Sequence, residues 1–275
     1  MQKNEIYGEV LGTFVLTLFG CGSVAGAVLF GSHQSLFQVA LVWGVGVTLA
    51  IYLTRHLSCA HLNPAVSVAM VLSGRMAARK LPRYLVAQMT GAILAGLVLF
   101  ALFAPSIAAY ESAHGIMRGS PESVATAKMF GEFYPNPGGG AVISLPLAIA
   151  AEAFGTFLLV LMIFALTEGC NVGRPDDALA PVFIGLTVAS IICLIAPLTQ
   201  AGLNPARDLG PRLVAWAFGW GDAAFPDRAG GWFHVYVLGP ILGGVTAAFF
   251  FVRVLEPAMN HRASDCKCRN VKSDR

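Results

Sequence analysis

The chain has 275 residues, of which 56% are hydrophobic and only 12% charged, with a net charge of +3 and a mean hydropathy of +0.68. A soluble domain carries about twice that share of charge, so the composition excludes a soluble globular enzyme or binding module. The small positive balance gives no basis for nucleic-acid binding.

Apolar runs near the roughly 20 residues a bilayer requires predict helical spans over 6–29, 36–55, 82–104, 144–167, 178–197 and 233–254. The first is not a cleavable signal peptide: it has no basic leader beyond Lys3 and no clear cleavage site. The segment 105–143 contains Pro, Gly and charges and reads as an outer loop, with turns over 134–140. The charged tail 256–275 carries Cys266-Lys267-Cys268, half of a metal site without its second pair, and reads as a disordered cytoplasmic tail. Cys21, Cys59, Cys170 and Cys193 form no disulfide framework, and Cys59 and Cys193 are expected near the centre of the fold. No cofactor or metal site is predicted.

The chain is internally duplicated. Glu9-Val-Leu-Gly-Thr-Phe-Val-Leu16 matches Glu152-Ala-Phe-Gly-Thr-Phe-Leu-Leu159. Asn63-Pro64-Ala65 matches Asn204-Pro205-Ala206 at nearly the same offset. A self-similar chain is two copies of one unit, here about 5–104 and 144–255 joined by 105–143, in one domain over 1–255. Each copy holds three spans, so the second must enter the membrane with opposite polarity. Of the 18 Lys and Arg, 13 fall on one side: Lys3, Arg55, Arg75, Arg79, Lys80, Arg83, Arg174, Arg253 and the five of the tail. Arg118, Lys128, Arg207, Arg212 and Arg228 fall on the other. The richer side is cytoplasmic, which puts both termini inside.

Asn is a strong N-cap and Pro suits the first helical position. Asn63-Pro64-Ala65 leading into Val66–Leu72, and Asn204-Pro205-Ala206 leading into Arg207–Phe218, therefore read as capped helices too short to span. Ordinary turns would account for one such motif but not for two in register. Broken segments at equivalent positions of inverted repeats point to a solute site near the midplane. Both positive helix ends would face that centre, opposing cations and protons. The Asn63 and Asn204 amides remain able to donate to a neutral solute.

The paired motifs, with Trp43-Gly-Val-Gly46, Ser58-Cys-Ala-His-Leu-Asn-Pro-Ala65, Tyr134-Pro-Asn-Pro137, Leu179-Ala-Pro181 and Asn204-Pro-Ala-Arg-Asp-Leu-Gly-Pro211, resemble the aquaporin family, and within it the glycerol facilitators. The resemblance covers nearly all of 5–255. It implies an all-α membrane protein with six transmembrane helices and two re-entrant half-helices, in a right-handed bundle of inverted repeats. It also implies a homotetramer with one pore per subunit in the inner (plasma) membrane. The permeants would be glycerol, other small polyols and water, and no reaction would be catalysed.

By the same resemblance Trp43 and Arg207 belong to the selectivity filter, and Asp208, Phe103 and Arg212 mark the glycerol branch. An Arg at membrane depth requires a wet path and backbone partners. Two filter positions depart from the glycerol pattern. Ala201 stands where an aromatic is usual, and Ile192 where a Gly is usual. Ile192 is expected to fill part of the space vacated at Ala201. Tyr236 is commoner in water-selective members, whereas Val237 follows the glycerol pattern. The stretches Cys59-Ala60-His61 and Gln200-Ala201-Gly202 are expected to run extended, offering carbonyls to passing hydroxyls. Glu9 and Glu152 lie inside spans and read either as proton carriers or as acceptors for loop amides, with the repetition favouring acceptors. The competing functions are a water-only channel, a proton-coupled transporter, and a structural protein without transport.

Overall fold

The computed structural model describes residues 2–138, 140–225 and 230–260. Cys266, Cys268, Arg228 and the tail from 261 onward lie outside the described residues. The helices are α1 (Gln2–Phe30), α2 (Leu36–Ser58), α3 (Pro64–Leu72), α4 (Leu81–Ala113), α5 (Val124–Ala127), α6 (Leu145–Thr167), α7 (Ala180–Thr199) and α8 (Pro205–Ala215). A last helical span, Gly231–Asn260, contains wide turns at His234–Leu238 and Phe251–Leu255. Among the described residues all regular structure is helical. Six helices are long and apolar enough to cross a membrane. The protein is an all-α membrane protein of six spans and two half-helices.

Three sequence expectations need correction. The third span does not stop at 104 but runs through Pro105 to Ala113. Its extension is tied down by Glu111, which is buried and accepts hydrogen bonds from Arg118 Nη2 at 2.8 Å and from the Thr126 hydroxyl at 2.8 Å. The second half-helix ends as an α-helix at Ala215 rather than Phe218. The chain then turns at Phe218 and Gly219, where φ is +107° at the glycine. The approaches to the half-helices are not extended. Cys59, Ala60, Leu62, Gln200, Ala201 and Leu203 all have φ between 51° and 66°. Left-handed backbone costs a non-glycine residue about 1 kcal/mol or more, so these loops need external anchors.

Packing follows the duplication. The helix α1 lies against α2 and α4, as α6 lies against α7 and the last span. The helices α2 and α7 pack on each other across the centre. The half-helices are exchanged: α3 packs on the last span of the second half, and α8 packs on α4 of the first. Small residues allow these approaches, since van der Waals packing rather than hydrophobic burial holds helices together in lipid. A Cβ on Gly91 would lie 2.3 Å from the Val10 carbonyl oxygen, and one on the equivalent Gly243 would lie 2.0 Å from that of Ala153. At the α2–α7 crossing a Cβ on Gly185 would lie 2.3 Å from the Gly44 oxygen.

Ion pairs and hydrogen bonds to backbone hold several of the basic side chains. At one end Lys80 pairs with Glu5 at 2.6 Å, Arg75 pairs with Glu168 at 2.6 Å and Glu256 at 3.3 Å, and Arg55 donates to the Asp177 carbonyl at 2.6 Å. At the other end Arg118, Arg207 and Arg212 pair with Glu111, Glu132 and Asp208.

A Gly243→Val substitution forces the last span off α6. We expect a loss of about 1–3 kcal/mol, read as a lower thermal midpoint of the detergent-solubilised protein followed by size-exclusion. An unchanged midpoint would contradict this packing.

Candidate functional site

The site begins with two carboxylates on the first helix of each half. Glu9 on α1 accepts the His61 N–H at 3.0 Å and the Leu62 N–H at 2.8 Å. Glu152 on α6 accepts the Gly202 N–H at 2.9 Å and the Leu203 N–H at 2.8 Å. Both are fully buried. Gln88 donates to Glu9 at 2.7 Å and Thr199 donates to Glu152 at 2.6 Å. A carboxylate that satisfies two adjacent amides holds a loop in a conformation its residues would not choose. Two tyrosines complete the device. Tyr84 donates to the Ser58 carbonyl at 2.7 Å, and Tyr236 to the Thr199 carbonyl at 2.9 Å. Each thus satisfies a carbonyl at the end of α2 or α7. Tyr236 stands behind Gly202, whose added Cβ would meet its ring at 2.7 Å. It is fully buried and is not among the residues lining the central cavity.

The half-helices meet at their capped ends. Asn63 Oδ1 accepts the Ala65 N–H at 2.8 Å, and Asn204 Oδ1 accepts those of Ala206 and Arg207 at 3.1 and 3.2 Å. Each amide also reaches across. Asn63 Nδ2 donates to the Leu203 carbonyl at 3.0 Å, and Asn204 Nδ2 donates to the Leu62 carbonyl at 2.7 Å. An amide nitrogen has two hydrogens, so each Asn keeps a second donor. Pro64, Ala65, Pro205 and Ala206 are buried behind them as the first helical turns.

Beside this junction lies a cavity with about 120 Å³ open to water. A water needs on the order of 10–15 Å³ on that measure, so the space accommodates a short file of small molecules. Its lining combines apolar side chains, among them Leu16, Trp43, Val47, Ile51, Leu159, Val188 and Ile192. It also includes Cys59, Ala60, His61, Asn63, Ala201, Gly202, Asn204 and Arg207 of the loops and half-helix ends. No hydrogen bond from a described residue reaches the carbonyls of Cys59, Ala60, His61, Gln200 or Ala201. The Gly202 carbonyl, expected to be open, instead accepts the Asn204 N–H at 2.6 Å, because the left-handed turn folds it back on the motif. The left-handed runs therefore do what an extended chain was expected to do, by a different geometry.

Ile192 and Ala201 are both buried, at 5% and 4% exposure, and line the same cavity as Trp43 and Arg207. Arg207 lies with its guanidinium carbon 4.0 Å over the Trp43 ring. Its expected backbone partners are replaced by a carboxylate: Nη2 pairs with Glu132 of the outer loop, and Nη1 is buried without a partner. Asp208, Arg212 and Phe103 do not line the cavity. Asp208 accepts two bonds from Arg212, at 2.7 and 3.1 Å, and one from the Glu132 N–H at 2.7 Å. Arg212 also donates to the Glu132 carbonyl at 2.6 Å and to that of Ala224. The pair thus secures the outer loop over the site. Phe103 is partly buried against the core, its ring centroid 6.2 Å from that of Phe30. Gln200 uses its side chain to accept the Phe133 N–H at 2.8 Å. Cys59 faces the cavity, whereas Cys193 does not.

Sequence reasoning missed Glu132, Tyr84, Gln88 and Thr199. Tyr84 and Tyr236 lie at only roughly matching points of the two halves, too loosely placed to be read as a pair. Glu132 carries no signal in an irregular loop.

The family model for major intrinsic proteins matches residues 1–251. The glycerol uptake facilitator protein of Pseudomonas aeruginosa is 42% identical over 246 residues, covering 89% of this chain and 86% of that protein. The Escherichia coli K12 protein of the same name is 40% identical over 254 residues, covering 92% and 88%. A propanediol uptake facilitator of Citrobacter freundii is 39% identical, covering 90% and 91%. Among solved structures, the aquaglyceroporin of Plasmodium falciparum superposes with a TM-score of 0.81 at 26% identity, covering 94% of this chain and 99% of that one. Sequence, architecture and these likenesses agree that the chain belongs to the major intrinsic protein family.

Proposed function

We propose that the protein is a passive channel for glycerol and related small uncharged polyols, with some water, that excludes ions and protons. The observation that carries this reading is the mixed lining of the cavity. It offers loop carbonyls as acceptors and the Asn63, Asn204 and Arg207 groups as donors beside apolar side chains. A polyol has hydroxyls along one edge and carbon along the other, so it exchanges water for these groups with little net change while its carbons face Trp43 and Ile192. An ion finds too few ligands to replace its hydration shell. The two helix N-termini at the Asn pair also add a positive potential against cations. Glu9 and Glu152 act as loop anchors, since their oxygens are engaged by amides.

The likeness to glycerol and propanediol facilitators supports the same substrate class. We read residues 1–255 as one channel domain of two inverted repeats, assembled as a homotetramer in the inner membrane with both termini cytoplasmic. The many large apolar side chains exposed on the spans, among them Phe37, Leu53, Leu102 and Leu194, suit lipid and neighbouring subunits. Ile192 and Ala201 together set the filter's width.

Stopped-flow light scattering of proteoliposomes tests the reading. An inward glycerol gradient should give shrinkage followed by rapid reswelling, and a sucrose gradient shrinkage alone. Rapid water exit with no reswelling in glycerol would favour the water-selective alternative, and uncoupler-sensitive uptake would favour a transporter. Ile192→Trp should cut glycerol entry at least about tenfold by filling the space opposite Ala201, a loss of roughly 1.4 kcal/mol or more in the barrier. Equal rates would remove Ile192 from the filter. A membrane-permeant mercurial should block flux, and Cys59→Ser should abolish the block, because Cys59 faces the cavity and Cys193 does not. Persistent block in Cys59→Ser would contradict that placement.

A further inference from the structure

Glu132 is the unexplained group. It lies in the irregular outer loop, outside every span, yet is 4% exposed, and its carboxylate is paired with Arg207, itself 4% exposed. Burying an acid costs several kcal/mol before any partner is counted, so its placement needs a reason. The loop holds it rigidly. The Glu132 N–H is bound by Asp208 and its carbonyl by Arg212, and the next residue's N–H is bound by Gln200. Asp208 and Arg212 do not line the cavity, and each makes one bond with the Glu132 backbone.

We propose that Glu132 is a specificity-determining positioning residue. It neutralises Arg207 and engages Nη2, so that a permeating polyol meets a cavity-lining guanidinium that belongs to an overall uncharged pair. The inference rests on the pore reading above. Three observations place it. The guanidinium is clamped between Trp43, 4.0 Å away, and the Glu132 carboxylate. Nη1 is buried without a partner, so Glu132 is the acceptor that fixes the guanidinium's orientation. Arg207 lines the cavity whereas Glu132 stands behind it. Conduction requires a solute to be held weakly enough to leave. A lone guanidinium offers a charge-assisted, two-pronged grip that is about twice as strong per bond as a neutral one. Without the Glu132 charge, a hydroxyl is held longer at the outer end and the field opposing cations grows.

The arrangement makes flux depend on pH. Burial pushes the Glu132 carboxyl up to about 7, against the opposing pull of the Arg207 guanidinium. Around it stand Arg207, Asp208 and Arg212 of α8, Cys21 of α1, Glu152 of α6 and Tyr236 of the last span. Arg207 and Arg212 favour its charged form, and Asp208 opposes it. Above pH 7 the pair is charged and neutral overall. Below it Glu132 takes up a proton and Arg207 stands as an uncompensated cation.

The test is glycerol permeability of wild-type, Glu132→Gln and Glu132→Asp proteoliposomes from pH 5.5 to 8.5, with water permeability and size-exclusion profile as controls for folding. Wild-type glycerol entry should fall about fivefold between pH 8 and pH 6, roughly the worth of one net hydrogen bond. Glu132→Gln should be flat near the low-pH wild-type rate, and Glu132→Asp should restore the pH dependence. A flat wild-type profile overturns the proposal whether or not the variants fold, and so does a Glu132→Gln profile that matches wild type. Absence of both water and glycerol flux at every pH in wild type overturns the pore reading itself, and this inference with it.

Discussion

The structure depends on one constraint. Backbone groups at membrane depth have no water to turn to, so each must find a partner or line a wet space. The two re-entrant loops carry six left-handed non-glycine residues between them, a conformation such residues leave when free. Glu9 and Glu152 hold it by taking two consecutive amides each. With the amides pinned to the helix side, the carbonyls have only the cavity to face. The same bonds that hold the strained loop in place leave carbonyls turned to the cavity.

That device is built twice, and its two copies lock each other. Asn63 caps its own half-helix and donates to the opposite loop, and Asn204 does the converse. The half-helices are also exchanged between the halves, α3 against the last span and α8 against α4. Neither half can place its loop without the other, so the junction is a product of the whole bundle. The glycines at 91 and 243 belong to this logic, because their missing Cβ atoms let the inner helices approach closely enough for the loops to meet.

The two halves differ just after the Asn-Pro-Ala motifs. The inner loop is followed by Val66 and the outer by Arg207, which pairs with an acid from a segment with no counterpart in the repeat. The Asp208–Arg212 pair connects the two regions by gripping that segment on both its amide and its carbonyl. Symmetry builds the junction, and the Arg207–Glu132 pair is a departure from it.

The sequence by itself determined the spans and the two capped half-helices, and favoured loop-amide acceptors for Glu9 and Glu152, because apolar length, N-cap chemistry and internal repetition are local or periodic signals. It also pointed to Trp43, Ile192, Ala201 and Arg207 as neighbours through the resemblance they carry. It could not show that the approaches to the motifs turn left-handed, since the left-handed positions are not glycines and the tertiary carboxylate bonds override residue preference. Nor could it show that α4 continues past Pro105, where the extension is held by Glu111 pairing with Arg118. Above all, it could not show that Arg207 is neutralised by Glu132 or that Tyr236 lies behind the cavity rather than in it. Those outcomes depend on which distant segments a folded bundle brings within 3 Å, and no pattern along the chain encodes that distance.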